Sequence, residues 1–230
     1  MHVPDGFLST PTSLATGGVA VIGIVACLRG ARRELDDRNA PIAVAVSAFI
    51  FAAQMINFPV AAGTSGHLMG GALAAALVGP YTGVLCVSMV LLVQTLVFAD
   101  GGLSALGTNI VLIALVTTIV AYGTSRLLLR ILPATRLSVL IAVFAGALLS
   151  VPAAAIAFAG LYTLGGATSI PVGSLTSAMV GVHLLIGVGE AIITTSVVAA
   201  ILATRSDLVH LARFGEQPAS ATAAAPVEVS

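Results

Sequence analysis

Apolar residues fill this chain in long runs, and the polar residues collect between them. Seven runs can be marked, at about 11–28, 40–57, 64–79, 81–99, 107–130, 137–162 and 174–204. A helix crosses the hydrocarbon core of a bilayer with about 20 apolar residues, and most of these runs approach or exceed that length. Alternation of apolar and polar positions, the mark of a membrane-spanning strand, is absent. The pattern predicts an all-α integral membrane protein with seven transmembrane helices. The third run is the shortest and opens in Gly63-Thr64-Ser65-Gly66-His67. Short, glycine-interrupted membrane segments line cavities or lie buried in protein, because exposed irregular backbone has no water there to satisfy it.

The arginines set an orientation. Arg29, Arg32, Arg33 and Arg38 lie between the first two runs, Arg126, Arg130 and Arg136 around the turn between the fifth and sixth, and Arg205 and Arg213 after the seventh. Seven spans put all three regions on one side, which the positive-inside rule assigns to the cytoplasm. The N-terminus is then outside and the C-terminus cytoplasmic. The outer segments near 1–10, 58–66, 100–106 and 163–173 carry no arginine. No basic residue precedes the first run, so it reads as a retained span rather than a signal peptide. The expected organisation is an external segment 1–10, a transmembrane domain 11–205 and a cytoplasmic tail 206–230, with an Ala-, Pro- and Ser-rich end that predicts disorder.

Composition sharpens this. Only 8% of the 230 residues are charged, and the net charge is zero, which leaves no basic surface for nucleic acid. Cys27 and Cys86 sit within apolar runs and read as small buried hydrophobes, not as a disulfide or zinc site. All nine basic residues are arginine. A phosphate-binding Walker A loop requires a lysine, so any ATP-driven work here belongs to another subunit.

The first two residues carry the most specific chemistry. The Met1 amine, the His2 backbone nitrogen and His2 Nδ1 are spaced along the chain to close on one ion in a plane, and planar nitrogen sets suit Ni(II) or Cu(II). His2 is bulky, so the initiator Met is expected to stay. His67 follows an outer loop and falls on the same side, where its imidazole completes a four-nitrogen set. The expected metal donors are therefore Met1, His2 and His67, a metal handle on the outer face, with affinity that falls in acid because each donor binds best unprotonated. Taken singly, an N-terminal His is an exposed residue without a role, and a His at a helix start is a packing residue. Their common side is what argues for a site.

Other polar residues have two readings. His183 and Glu190, seven apart on one face of the seventh run, are either a polar pair serving ion passage or a hydrogen-bonded pair fixing helix packing. Asp100 reads as a turn cap, or as an attractor of cations. Gln54, Asn57 and Asn109 are candidates to orient His67. His210 is assigned nothing. The small residues of 70–76 permit close helix contact within this chain or with another subunit. Two other functions are open on these residues. Gly63-Thr64-Ser65-Gly66 matches the G-x-S-G pattern of a rhomboid-like intramembrane serine protease, with His183 as base, and the bundle alone is compatible with a permease for another solute.

Met1-His2-Val3-Pro4-Asp5-Gly6-Phe7-Leu8, Gln54-Met55-Ile56-Asn57-Phe58-Pro59-Val60, Gly63-Thr64-Ser65-Gly66-His67-Leu68, Ala99-Asp100-Gly101-Gly102, Leu106-Gly107-Thr108-Asn109 and the stretch from His183 to Glu190 resemble the substrate-binding membrane component of energy-coupling factor nickel/cobalt transporters (the CbiM/NikM family). The resemblance covers about residues 1–205. It implies seven helices with the N-terminus outside, and an ion held by the terminal amine, the backbone and ring nitrogens of His2 and the imidazole of His67. It also implies partners: a transmembrane coupling protein (T component), a pair of ATP-binding-cassette ATPases and a small accessory membrane subunit, in the cell membrane of a prokaryote. No cofactor is implied; Ni(II) or Co(II) is the transported ligand. Val3-Pro4-Asp5 looks more like the nickel branch. The family often has another Asn-rich step after the Asn matching Asn109; here Ile110-Val111-Leu112 follows, and no ligand is assigned to it.

Overall fold

The first helix, α1 (Thr10–Ala31), starts with Pro11 in its first turn, where a missing N–H is harmless, and carries Arg29 in its last turn, where a cation meets the helix dipole. The computed structural model describes residues 1–35, 40–60 and 65–214. Arg38, the Gly63-Thr64 pair and the Ala/Pro/Ser-rich end of the tail, for which disorder was expected, lie outside the described residues. After α1 come α2 (Ala40–Gln54), α3 (Gly71–Val78), α4 (Pro80–Val97), α5 (Leu106–Ile131), α6 (Arg136–Gly165) and α7 (Val172–Thr204). Two-residue strands β1 (Phe58–Pro59) and β2 (Ser65–Gly66) pair antiparallel between α2 and α3. Within α5, residues Ile110–Val116 widen into a π-helical stretch directly after Asn109.

Five helices, α1, α4, α5, α6 and α7, are long and apolar enough to cross a membrane, and α2 is a shorter apolar helix of 15 residues. Their outward side chains are those of a protein solvated by lipid: Leu14, Ile22, Val44 and Leu185 are 71–75% exposed. The chain is a multi-pass, all-helical membrane protein.

The third apolar run departs from a full span. Its helix covers only 71–78, eight residues, all of them buried. At a 1.5 Å rise per residue that is about 12 Å, against about 30 Å of hydrocarbon. The physical stops are glycines at both ends: Gly70 (φ +82) and Gly79 (φ +95) hold left-handed backbone that does not continue a right-handed helix. α3 is a half-helix enclosed by α4, α5, α6 and α7.

The interhelical contacts define two ends of the bundle. At one, Glu34 after α1 accepts the Thr82 N–H at the start of α4 at 2.7 Å, and Arg126 near the end of α5 lies 3.5 Å over the Phe214 ring beyond α7. At the other end, the residues before α1 meet the loops that follow α2, α4 and α6.

Candidate metal site

The start of the N-terminal segment, expected as a metal handle, is not exposed. It threads into the bundle: Met1 and Val3 are fully buried, and His2 is 3% exposed. Each step of its path has an anchor. Ser9 donates its N–H to Gly165 O at 2.7 Å and Ala167 donates to Phe7 O at 3.0 Å, so the segment starts out along the end of α6. The Phe7 ring packs on Phe158 and Tyr162 of α6, with centroids 5.7 and 5.4 Å away. Asp5 accepts the N–H groups of Leu103 (3.2 Å) and Ser104 (2.7 Å). The Gly102 N–H donates to Val3 O at 3.0 Å. Gly102 has to be glycine, since a Cβ there would collide with the backbone of Asp5.

This path brings His2 to His67. Their rings stack with centroids 4.4 Å apart and planes inclined by 27°. The His67 Nδ1 lies 2.8 Å from the Leu68 carbonyl. A carbonyl can only accept, so Nδ1 carries the proton and Nε2 keeps its lone pair. That Nε2 is buried with no hydrogen-bond partner. His2 Nδ1 lies 3.2 Å from Asp100 Oδ1, within ion-pair distance, and His2 Nε2 is buried without a hydrogen-bond partner. Buried polar atoms normally find partners, and the Nε2 atoms of His2 and His67 have none, beside a buried terminal amine. The His2 N–H points to Ser65 Oγ at 3.4 Å, so metallation of that amide requires it to release both its proton and this contact.

The electrostatics favour unprotonated donors. Burial holds the Met1 amine well below its ordinary value of 8.0, outweighing the pull of Asp100 and Glu190. Burial likewise lowers His2 below 6.5, against the opposing effect of Asp100. Contact with the His2 ring lowers the Asp100 carboxyl below 3.8. Among the described residues no three His, Cys, Asp or Glu side chains converge closely enough to hold a metal. A polar pocket of about 380 Å³, lined by His2, Asp5, Asn57, Ser65 and Asp100, opens from these residues towards the outside of the bundle.

The remaining candidates take more specific places than the sequence suggests. Asp100, read as a turn cap, faces His2, and Asn57 steadies it from Nδ2 at 3.3 Å. Asn109 does not orient His67; it holds Val3 through both amide groups, accepting its N–H at 2.8 Å and donating to its carbonyl at 3.2 Å. Gln54 donates to Met69 O at 2.7 Å, two residues beyond His67. His183 and Glu190 are not bonded to each other. His183 Nδ1 is bonded to Met179 O at 2.7 Å and its Nε2 has no partner, so no Ser65–His183 dyad of the protease kind forms. Glu190 reaches instead to the Met69 and Gly70 N–H groups. Nothing in the sequence signals that contact beyond the presence of one acid deep in an apolar run.

Comparison with known proteins agrees with this architecture. Residues 2–208 match the family described as "Cobalt uptake substrate-specific transmembrane region". A protein of Haloquadratum walsbyi, provisionally named a metal transport protein, is 39% identical over 91% of this chain and 93% of its own length. A protein of Archaeoglobus fulgidus, provisionally named a fused nickel transport protein, is 38% identical over the whole of this chain and 75% of its own. The crystal structure of a truncated transition metal transporter superposes with a TM-score of 0.81 at 31% identity, covering 88% of this chain and 99% of that one.

Proposed function

Because this chain belongs to the family of cobalt-uptake substrate-specific transmembrane regions, and is a cobalt/nickel transport component rather than an enzyme, we propose that it captures Ni(II) or Co(II) with the Met1 amine, the His2 amide and ring nitrogens and His67 Nε2. The observation that carries this reading is the burial of the Met1-His2 start against His67, with His67 Nε2 unpaired. The amine, two imidazoles and a deprotonated amide give a four-nitrogen set suited to these ions. Asp100 lies at the mouth of the polar pocket, where a carboxylate attracts a hydrated cation and can receive the His2 ring before the ion does. The ring turns from Asp100 into the chelate on loading, since stacked imidazoles present faces rather than lone pairs to each other.

Delivery across the membrane is assigned to an ATP-driven energy-coupling factor importer in a prokaryotic cell membrane, with the arginine-rich end of the bundle in the cytoplasm. With no lysine for a Walker A loop in this chain, ATP hydrolysis is assigned to other subunits. The partners in this reading are a transmembrane coupling protein, two ATP-binding-cassette ATPases and a small accessory membrane subunit.

Metal titration of the purified protein tests the site. The native protein is expected to bind Ni(II) or Co(II) stoichiometrically. One residue added before Met1 moves the amine and displaces His from position 2, and His67→Ala removes the fourth nitrogen; both are expected to abolish binding or weaken it by orders of magnitude. Native-like binding by either variant overturns the assignment.

A further inference from the structure

The mouth of α3 is held by a carboxylate from across the bundle. Gly70, immediately before α3, has left-handed backbone and no side chain with which to cap the helix. Glu190, in the middle of α7, supplies what is missing. Its Oε2 accepts the Met69 N–H at 2.6 Å and its Oε1 accepts the Gly70 N–H at 2.9 Å. Glu190 is 1% exposed. An acid so deep in an apolar bundle is costly unless its oxygens are satisfied, and two backbone amides beside the positive end of a half-helix do satisfy them.

These two amides lie two and three residues beyond His67. The His67 ring bonds only to its own neighbour's carbonyl, so the place of Nε2 in space is set by where residues 68–70 are held. Gln54 of α2 holds Met69 from its carbonyl side and Glu190 of α7 holds it from its amide side. Between α2 and α7 at this level is an apolar side pocket of about 250 Å³, bordered by Ile56, His67, Leu68, Ile186 and Glu190, rather than close-packed side chains. The polar tie is thus a specific link between α7 and the segment that carries His67, beside the contact of α7 with β2.

We propose that Glu190 is the positioning residue for His67, fixing its imidazole through the Met69 and Gly70 amides so that α7 sets the affinity of the metal site. This rests on the metal-binding reading above. It makes α7 the helix whose displacement draws His67 away from the other donors, and it gives the buried acid a role.

The test is Ni(II) and Co(II) titration of the full-length protein with Glu190→Gln and Glu190→Asp, read by affinity and by the ligand-field absorption of the bound ion. Gln retains one acceptor and turns an NH2 towards the second amide; Asp is one methylene short of reaching both. Folded variants are expected to bind between about tenfold and a hundredfold more weakly, with a shifted absorption spectrum, which a loss of stability alone does not cause. Native affinity with a native spectrum overturns the inference. Should neither variant fold, hydrogen exchange of the native protein decides: amides of Met69 and Gly70 as protected as the interior of α7 support the clamp, and exchange at the rate of an unbonded loop overturns it. If the native protein binds no metal, or His67→Ala binds as the native does, the proposed function falls; if those controls behave and the Glu190 variants are native-like, only the role of Glu190 falls.

Discussion

Asn109 binds Val3 as one strand binds another, accepting its N–H at 2.8 Å and donating to its carbonyl at 3.2 Å across 106 residues of sequence. Both residues are fully buried. No water competes for these groups, and the side-chain amide stands in for a missing neighbouring strand.

Asn109→Ala leaves the buried Val3 N–H without an acceptor, a penalty of about 1–3 kcal/mol. It also frees the segment that presents Met1 and His2. A lower melting temperature is expected together with weaker metal binding, measured by thermal unfolding and titration of the same sample. Unchanged affinity in a destabilised protein shows that Asn109 serves the fold alone.

Gly70→Ala is expected to damage the site from the other side. Gly70 sits at φ +82, where a Cβ costs about 1–2 kcal/mol, and that Cβ would stand 2.7 Å from Ile50 Cγ2. The local escape is a shift of residues 68–70, which moves His67. Reduced thermal stability and reduced Ni(II) affinity are both expected; a variant native in both shows that the segment adapts without strain.

His67 and His183 are expected to separate sharply. Each has its Nδ1 at a backbone carbonyl and its Nε2 unpaired, but only the His67 ring stacks on His2. His67→Ala is expected to lose stoichiometric binding, and His183→Ala to retain affinity within about tenfold, the lower end of what an outer partner of a metal site contributes. Loss of binding in His183→Ala places a third imidazole among the donors.

Acid is expected to weaken both the fold and the site. The Met1 amine and His2 have values lowered by burial from 8.0 and 6.5, so the folded state prefers them neutral. Their contribution to stability is complete above about pH 8 and is lost as pH falls through the neutral range and below. Asp100, lowered from 3.8 by its contact with His2, adds a loss of the same sign at stronger acid. Metal affinity follows the same direction, because protons compete for the lone pairs. Melting temperatures and Ni(II) titrations from pH 8 to pH 5 check this; affinity that rises towards acid contradicts a nitrogen-donor site.

Much of this protein was legible along the chain. Long apolar runs demand a lipid environment whatever their neighbours, because transfer free energy accrues residue by residue. The Met1-His2 chelate is local chemistry, visible without any fold, and the absence of lysine rules out a Walker A loop directly. What the tertiary structure decided is where those groups go. The third run is apolar enough to suggest a span, yet two left-handed glycines cut it to a buried half-helix. The Met1-His2 start reads as a metal handle, yet only the tertiary structure shows Asn109, Gly102 and the end of α6 drawing its first residues into the bundle. Asp100 facing His2, and Glu190 clamping Met69 and Gly70 from 121 and 120 residues away, are contacts between surfaces built mainly of Ala, Gly, Leu and Val. Such surfaces carry no code for their partners, because in lipid the fit of whole helices, not the identity of single residues, selects the neighbour.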